Sequence, residues 1–291
     1  MEISAPGKLI LAGEYSVLEG FPALVTTVSR RVTLKTSNRR HFSNLWSFVG
    51  KNKIGYFTIN SNDFYENNFK LGIGSSAASA LCMAAYLNSN NALNIALSGH
   101  RNFSLNLGSG IDVVASYYGG LIEFQLDQPV QIITNIFLNN IKFFCVFLGI
   151  SQDTRFFLDS VLKFRLSNFR YYINLLENLG KLTHVWKNFY TIGLDILTLR
   201  KLVNENNNIL RELGKKSGIH IINEQHECLQ RIMSQYGGFS KPSGAGGGDI
   251  SLCFISSDFF EICRSNLKKE GWTVLDLDYF TQGLLISDNL N

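Results

Sequence analysis

The sequence predicts an α+β protein of two domains, and three observations carry that expectation. At 291 residues the chain exceeds the roughly 100–200 that one compact domain usually holds. Residues 1–36 read as strands around a turn, whereas the part beyond residue 141 alternates short apolar runs with long helical stretches. Hydrophobic residues make up 45% of the chain and charged ones 17%, enough apolar surface to build a core in each half and too little charge for a disordered chain.

The elements follow in order. KLILAG is a short apolar run, and ALVTTVSRRVTLKTS places Val25 and Thr27, then Val32 and Leu34, on one face of a second strand. Residues 37–70 are rich in Asn, Ser and aromatics, with LWSFVG and YFTINS expected as strands and a loop near Asn67. At Gly72 the texture changes: GIGSS leads into AASALCMAAYLN, whose alanines and other good helix formers predict a helix. A second glycine turn, GSGID, opens the helix DVVASYYGG, which precedes the strand LIEFQL. Beyond it come the strand IKFFCVFLG, helical stretches through Asn206, a helix around INEQHECLQRIMSQYGG, and strands at ISLCFI and TVLDL. The boundary is placed near residue 140, giving domains 1–140 and 141–291.

Composition narrows the function classes. The net charge of +4 comes from dispersed basic residues with no Lys/Arg tract, which argues against a nucleic-acid arm and suits a small anionic ligand. Cys82, Cys145, Cys228, Cys253 and Cys263 are odd in number and mostly set in apolar runs, the pattern of buried thiols rather than of a metal site. The start, MEISAPGKLILAGEY, lacks the basic and long apolar segments of a secretory signal, and no apolar run reaches about 18 residues. The expectation is a cytosolic protein with no membrane or nucleic-acid partner; nothing in the sequence specifies its oligomeric state.

Three glycine-rich junctions carry the chemistry. In Gly72-Ile73-Gly74-Ser75-Ser76-Ala77 the glycines allow close backbone approach, and the helix start presents N–H groups and a positive dipole end to an anion. The same serines could simply cap a tightly packed helix. The segment lacks the Gly-Lys-Ser/Thr ending of a P-loop. Lys241-Pro242-Ser243-Gly244-Ala245-Gly246-Gly247-Gly248-Asp249 runs directly into the strand ISLCFI, which favours a ligand or backbone approach over a flexible linker. Gly108-Ser109-Gly110-Ile111-Asp112 puts a carboxylate at a helix start, where alone it would be an ordinary first-turn residue.

Together APGKLILAGEYSVLEGFPAL, GIGSSAAS and KPSGAGGGD stand in the order and spacing of the three signature motifs of the GHMP kinase superfamily, which the chain resembles over most of its length. Within it, Gly13-Glu14-Tyr15, GSGIDVVASYYGG, Asp249 and the segment Ser151-Gln152-Asp153-Thr154-Arg155 are most similar to the phosphomevalonate kinases. Mevalonate kinases usually carry histidine after the glutamate and tend to have glycine at the position of Asp249, and the PGK start differs from diphosphomevalonate decarboxylases. The resemblance implies a ribosomal-S5-like N-terminal domain, a ferredoxin-like C-terminal domain, and an ATP-dependent kinase acting on phosphomevalonate or a related acceptor.

By the same resemblance, Lys8 and Asp112 are the catalytic residues. Gly72, Gly74, Ser75, Ser76 and Ala77 hold ATP, and Ser76 contacts Mg²⁺. Ser109, Gly110, Thr154, Arg155, Ser243, Gly244, Ala245 and Gly246 bind the acceptor. For an alcohol acceptor Asp112 would be a general base; for a phosphomonoester Lys8 would screen two anions and Asp112 would orient Lys8 or the metal. His100, Arg101, Arg155 and Lys241 are candidate cationic contacts to an acceptor phosphate. There is no acidic residue between Glu66 and Asp112, where mevalonate kinases place a magnesium-binding glutamate. The competing expectations are a mevalonate or other GHMP kinase, and a non-catalytic sensor of this fold.

Overall fold

The computed structural model describes residues 1–51, 53–105, 107–149 and 154–287. The chain folds into two compact units and passes between them more than once. The first holds Met1–Leu9, Val25–Ile122 and Asp278–Asn291; the second holds Ile10–Leu24 and Glu123–Leu277.

The chain opens with β1 (Glu2–Ala12), β2 (Ala23–Arg40) and α1 (Asn44–Val49), followed by β3 (Tyr56–Asn60) and a short hairpin, β4 (Tyr65–Glu66) and β5 (Phe69–Lys70). Helices α2 (Ser75–Leu87), α3 (Ala92–Phe103) and α4 (Ile111–Tyr118) precede β6 (Leu121–Phe124) and β7 (Gln131–Ile133). Then come β8 (Ile141–Phe147), α5 (Thr154–Ser167), α6 (Phe169–Ile192), α7 (Ile196–Ser217), α8 (Glu224–Gln235), β9 (Phe239–Pro242), β10 (Ile250–Ser256), α9 (Ser257–Lys269), β11 (Thr273–Leu275) and β12 (Leu285–Ser287).

The first unit is built on a sheet in which the strands run β12-β1-β2-β6, with β3 added to β2. Ile3 and Ala5, and Val32 and Leu34, are fully buried in it at two-residue spacing, whereas residues 25–28 are all buried, so the alternation read from Val25 and Thr27 does not hold there. Helix α2 packs against α3 and α4. Its Ala77, Ala78, Ala80, Ala84, Leu81 and Cys82 are all buried, so small side chains let the helix be enclosed on nearly every side. LWSFVG departs from expectation: it forms α1, not a strand. Ser43 caps that helix by accepting a hydrogen bond from Trp46 N at 3.1 Å, and Leu45, Trp46 and Val49 point inward.

The second unit has a four-stranded antiparallel sheet, β11-β8-β10-β9. Along β8, Phe144 and Val146 pack with Leu229, Met233, Cys263 and Leu267 of α8 and α9. Phe143 lies against Tyr190, and Phe254 of β10 against Trp186, both partners on α6. Covering on both faces explains why FFCVFLG and ISLCFI are continuous apolar runs rather than alternating ones. Further out, α5, α6 and α7 share a core of Phe157, Val161, Tyr172, Leu176, Leu210 and Leu213 with Tyr15 and Ile221. Four cysteines are buried and Cys228 partly so. Among the described residues no helix is long and apolar enough to cross a membrane.

Candidate functional site

In the first unit the local sequence brings the first two glycine junctions to one place. Gly7 has no side chain where a Cβ would fall 3.1 Å from both the Ile73 carbonyl oxygen and the Phe64 ring. The loop before α2 therefore lies flush on β1, and Lys8 N donates to Ile73 O at 2.9 Å. Gly74, at φ +88°, is the N-cap of α2 and supplies no side-chain cap. A Cβ there would stand 3.2 Å from Lys8 Cε and 3.9 Å from Asp112 Oδ2. Glycine is thus required at Gly74 both by its backbone conformation and by the close approach of Lys8.

Asp112 is set by α4, whose N-cap is Gly110 at φ +85°. Ser109 Oγ accepts from Ile111 N at 3.3 Å within the turn that leads into α4, and Ser116 Oγ donates to Pro6 O at 2.8 Å, tying α4 to β1. The Lys8 ammonium stands 3.3 Å from Asp112 Oδ1; the lysine side chain is 9% exposed and the aspartate 34%. Lys8 is therefore an almost enclosed cation with one carboxylate beside it. The first-turn N–H groups of α2 lack intrahelical partners by the geometry of any helix start and give this end a positive field. Ser75 is buried, Ser76 half-buried, and Ala77 wholly buried. Ser76 Oγ is 3.1 Å from His100 Nε2 on the last turn of α3.

The third junction lies in the second unit. Gly244, Gly246, Gly247 and Gly248 all have positive φ. A Cβ on Gly246 would fall 2.3 Å from the Ile221 carbonyl oxygen, while one on Gly244 would meet nothing within 4 Å. Asn223 Nδ2 donates to Gly247 O at 2.8 Å, and Gly247 N donates to Ile221 O at 2.9 Å. Within the second unit, residues 10–24 reach the same loop: Ser243 Oγ donates to Ile10 O at 3.1 Å, and Tyr15 OH donates to Ala245 O at 2.6 Å.

Between them, Lys241 and Glu14 form an ion pair whose side chains are wholly buried, and Lys241 Nζ also donates to the carbonyls of Leu11, at 3.2 Å, and Pro242, at 2.9 Å. Lys241 is thus an internal cation, not the acceptor contact considered from sequence. Tyr15 adopts φ +61°, a conformation that costs a bulky residue roughly 1–3 kcal/mol and persists where surroundings over-determine it. Here burial in the α5–α7 core and the bond to Ala245 do so. Burial, and then the Glu14 charge, push the Tyr15 phenol far above its ordinary pKa, so it stays a donor.

Thr154 and Arg155 begin α5 and are exposed. Ser151, Gln152 and Asp153, the rest of that motif, lie outside the described residues. Arg101 is exposed on α3, its guanidinium 3.8 Å from where a Gly110 Cβ would stand. Three pairings escaped sequence reasoning: Glu14 with Lys241, Tyr15 with Ala245, and Ser76 with His100. The available signal for the first was the lone charge of Glu14 inside the largely apolar segment LILAGEYSVL, since charges in such places are paired.

Among the described residues no three His, Cys, Asp or Glu side chains gather into a metal cage. Oxygen donors of the residues around Gly74 include the Ser75 and Ser76 hydroxyls and the Asp112 carboxylate. That sparse, hard set fits Mg²⁺, which keeps water and phosphate oxygens and takes one or two protein ligands.

No protein-family model matches the chain. The phosphomevalonate kinase of Saccharolobus solfataricus is 24% identical over 99% of this chain and 100% of its own length. A solved protein from Listeria innocua superposes with a TM-score of 0.83 at 21% identity, covering 99% of this chain and 100% of its own. The phosphomevalonate kinase of Streptococcus pneumoniae, solved with phosphomevalonate and AMPPNP, gives 0.77 at 15% identity over 96% and 99%. Solved mevalonate kinases and a galactokinase are similar as well. The chain therefore has the fold of the GHMP kinases, and its sequence resemblance to a phosphomevalonate kinase runs end to end.

Proposed function

We propose that this chain is an ATP-dependent kinase that phosphorylates a small anionic acceptor, 5-phosphomevalonate above others, to give 5-diphosphomevalonate. In this reading residues 1–140 supply the nucleotide motifs and residues 141–291 the third glycine loop. The observation that carries it is the Lys8–Asp112 pair set against Gly74 at the start of α2. The name of the Saccharolobus relative and the ligands of the Streptococcus structure support the choice of acceptor.

Phosphoryl transfer asks for alignment and charge stabilisation more than covalent help. An acceptor phosphate oxygen bonds to the γ-phosphorus as the bond to the β,γ-bridging oxygen breaks and ADP leaves. With a second pKa near roughly 6, the acceptor phosphate is already largely ionised at neutral pH, so no base is required. Lys8 supplies positive charge between two anions that would otherwise repel. Asp112 holds the ammonium in place and, with Ser76, would hold the metal. The loop from Gly72 to Ala77 directs backbone N–H groups at the donor phosphates, as a helix start does for anions generally. Mg²⁺, when bound, neutralises charge on the transferring phosphoryl oxygens. Ser109, Gly110, Thr154, Arg155 and Ser243–Gly246 contribute to acceptor binding.

The test is ADP release with MgATP and, in turn, 5-phosphomevalonate, mevalonate and a panel of small sugars. Selective turnover of 5-phosphomevalonate is expected. Turnover of mevalonate or a sugar would keep the kinase and discard the acceptor, and nucleotide binding with no turnover on any of them would make the chain a sensor.

A further inference from the structure

We propose that His100 is a positioning residue for the Ser76 hydroxyl, accepting its hydrogen bond so that the oxygen's lone pairs face the divalent cation that accompanies the nucleotide. The inference rests on the nucleotide reading above and names a residue to which neither the motifs nor the chemistry so far assigns that task.

Ser76 is the second residue of α2, and its Oγ lies 3.1 Å from His100 Nε2. A serine hydroxyl has one proton and two lone pairs and rotates freely about its C–O bond. In a helix it also tends to turn back onto a carbonyl of the preceding turn. An acceptor at a fixed place removes both freedoms. His100 is such an acceptor because α3 is locked where it stands: it packs on α2, and at Gly99 it meets α1 so closely that a Cβ would fall 2.8 Å from Val49 Cγ2. The imidazole is half-buried between these helices.

The surrounding sequence makes that orientation matter. No acidic residue occurs between Glu66 and Asp112, and Asp112 is already engaged with Lys8. A single hydroxyl therefore carries a larger share of the protein's contribution to the cation than it would beside two carboxylates. A serine oxygen is a weak ligand, and its usefulness depends on where its lone pairs point. A neutral imidazole protonated at Nδ1 and accepting at Nε2 sets that direction.

Calorimetric titration of the full chain with ADP, with and without Mg²⁺, tests the proposal without relying on turnover. H100A is expected to weaken MgADP about tenfold, the scale on which partners that orient a metal ligand act, and to leave metal-free ADP binding unchanged. S76A should weaken MgADP at least as much, and H100A/S76A should be no weaker than S76A alone. H100Q, whose amide oxygen can accept at the same place, should restore most of the affinity. Wild-type MgADP affinity in H100A, or losses that simply add in the double variant, would overturn the role of His100 while leaving the nucleotide site intact. Failure of the wild-type protein to bind MgADP at all would instead remove the nucleotide reading, and the proposal with it.

Discussion

Replacing Lys241 by methionine should do more damage than any single surface change, and the structure sets the size. Both side chains of the Glu14–Lys241 pair are fully buried, so K241M leaves the Glu14 carboxylate charged, dry and without its partner. Breaking a buried ion pair from one side costs roughly 3–5 kcal/mol, because the remaining charge is uncompensated. Glu14 Oε2 already has no hydrogen-bond partner among the described residues, so nothing nearby compensates it further. E14Q should cost a similar amount by stranding the ammonium. The double variant E14Q/K241M removes both charges and chiefly loses the Lys241 donor to two backbone carbonyls, at about 1 kcal/mol each. It should therefore lie only about 2 kcal/mol below wild type, more stable than either single variant. Urea unfolding followed by tryptophan fluorescence is the assay, and Trp186, 5.7 Å from Lys241 Nζ, is a local reporter. With a slope of about 3 kcal/mol per molar urea, each single variant should lose about 1 M or more in midpoint. A K241M midpoint within about 0.3 M of wild type, or a double variant as unstable as the sum of the singles, would refute the reasoning.

The third glycine loop offers a contrast within three residues. G246A forces a Cβ to 2.3 Å from the Ile221 carbonyl at φ +77°, whereas G244A has the same φ with open space around it. G244A should cost about 1–2 kcal/mol, the penalty of a left-handed alanine, and G246A clearly more, read as the difference in unfolding midpoint between the two proteins. His226 makes stability pH-dependent: burial, and secondarily the charge of Lys241, lower its pKa to about 4. A neutral histidine favoured by folding contributes stability that is full above its ordinary pKa of about 6.5 and lost as pH falls toward 4, about 3 kcal/mol in all. H226Q can keep the capping box with Asn223 without the titration, so its stability should fall less between pH 7 and 4.5 than that of wild type; equal slopes would contradict the assignment.

How much was legible depended on distance along the chain. The strands β1, β2, β8 and β10 and the helix after Gly74 announced themselves because their signals are local: apolar runs of strand length, or alanines following a glycine-serine turn. Helix α1 did not, because six residues of mixed aromatic and aliphatic character fit either period. Its one local clue was Ser43, which caps it. Lys8, Asp112 and Gly74 were expected from the motifs, and the structure brings these three together in the first unit. The Glu14–Lys241 pair, 227 residues apart in sequence, could not be read, since nothing local to either residue names its partner. Ser76 and His100, 24 residues apart on neighbouring helices, met for the same reason: packing chose the contact, not periodicity.

The most direct measurement of the central claim is to follow the transferred phosphoryl group by ³¹P NMR after mixing the protein with MgATP and 5-phosphomevalonate. The account predicts ADP together with a new pair of coupled diphosphate resonances from the acceptor, absent with D112N and K8M although both fold. Appearance of inorganic phosphate alone, or undiminished diphosphate formation in K8M and D112N, would contradict it.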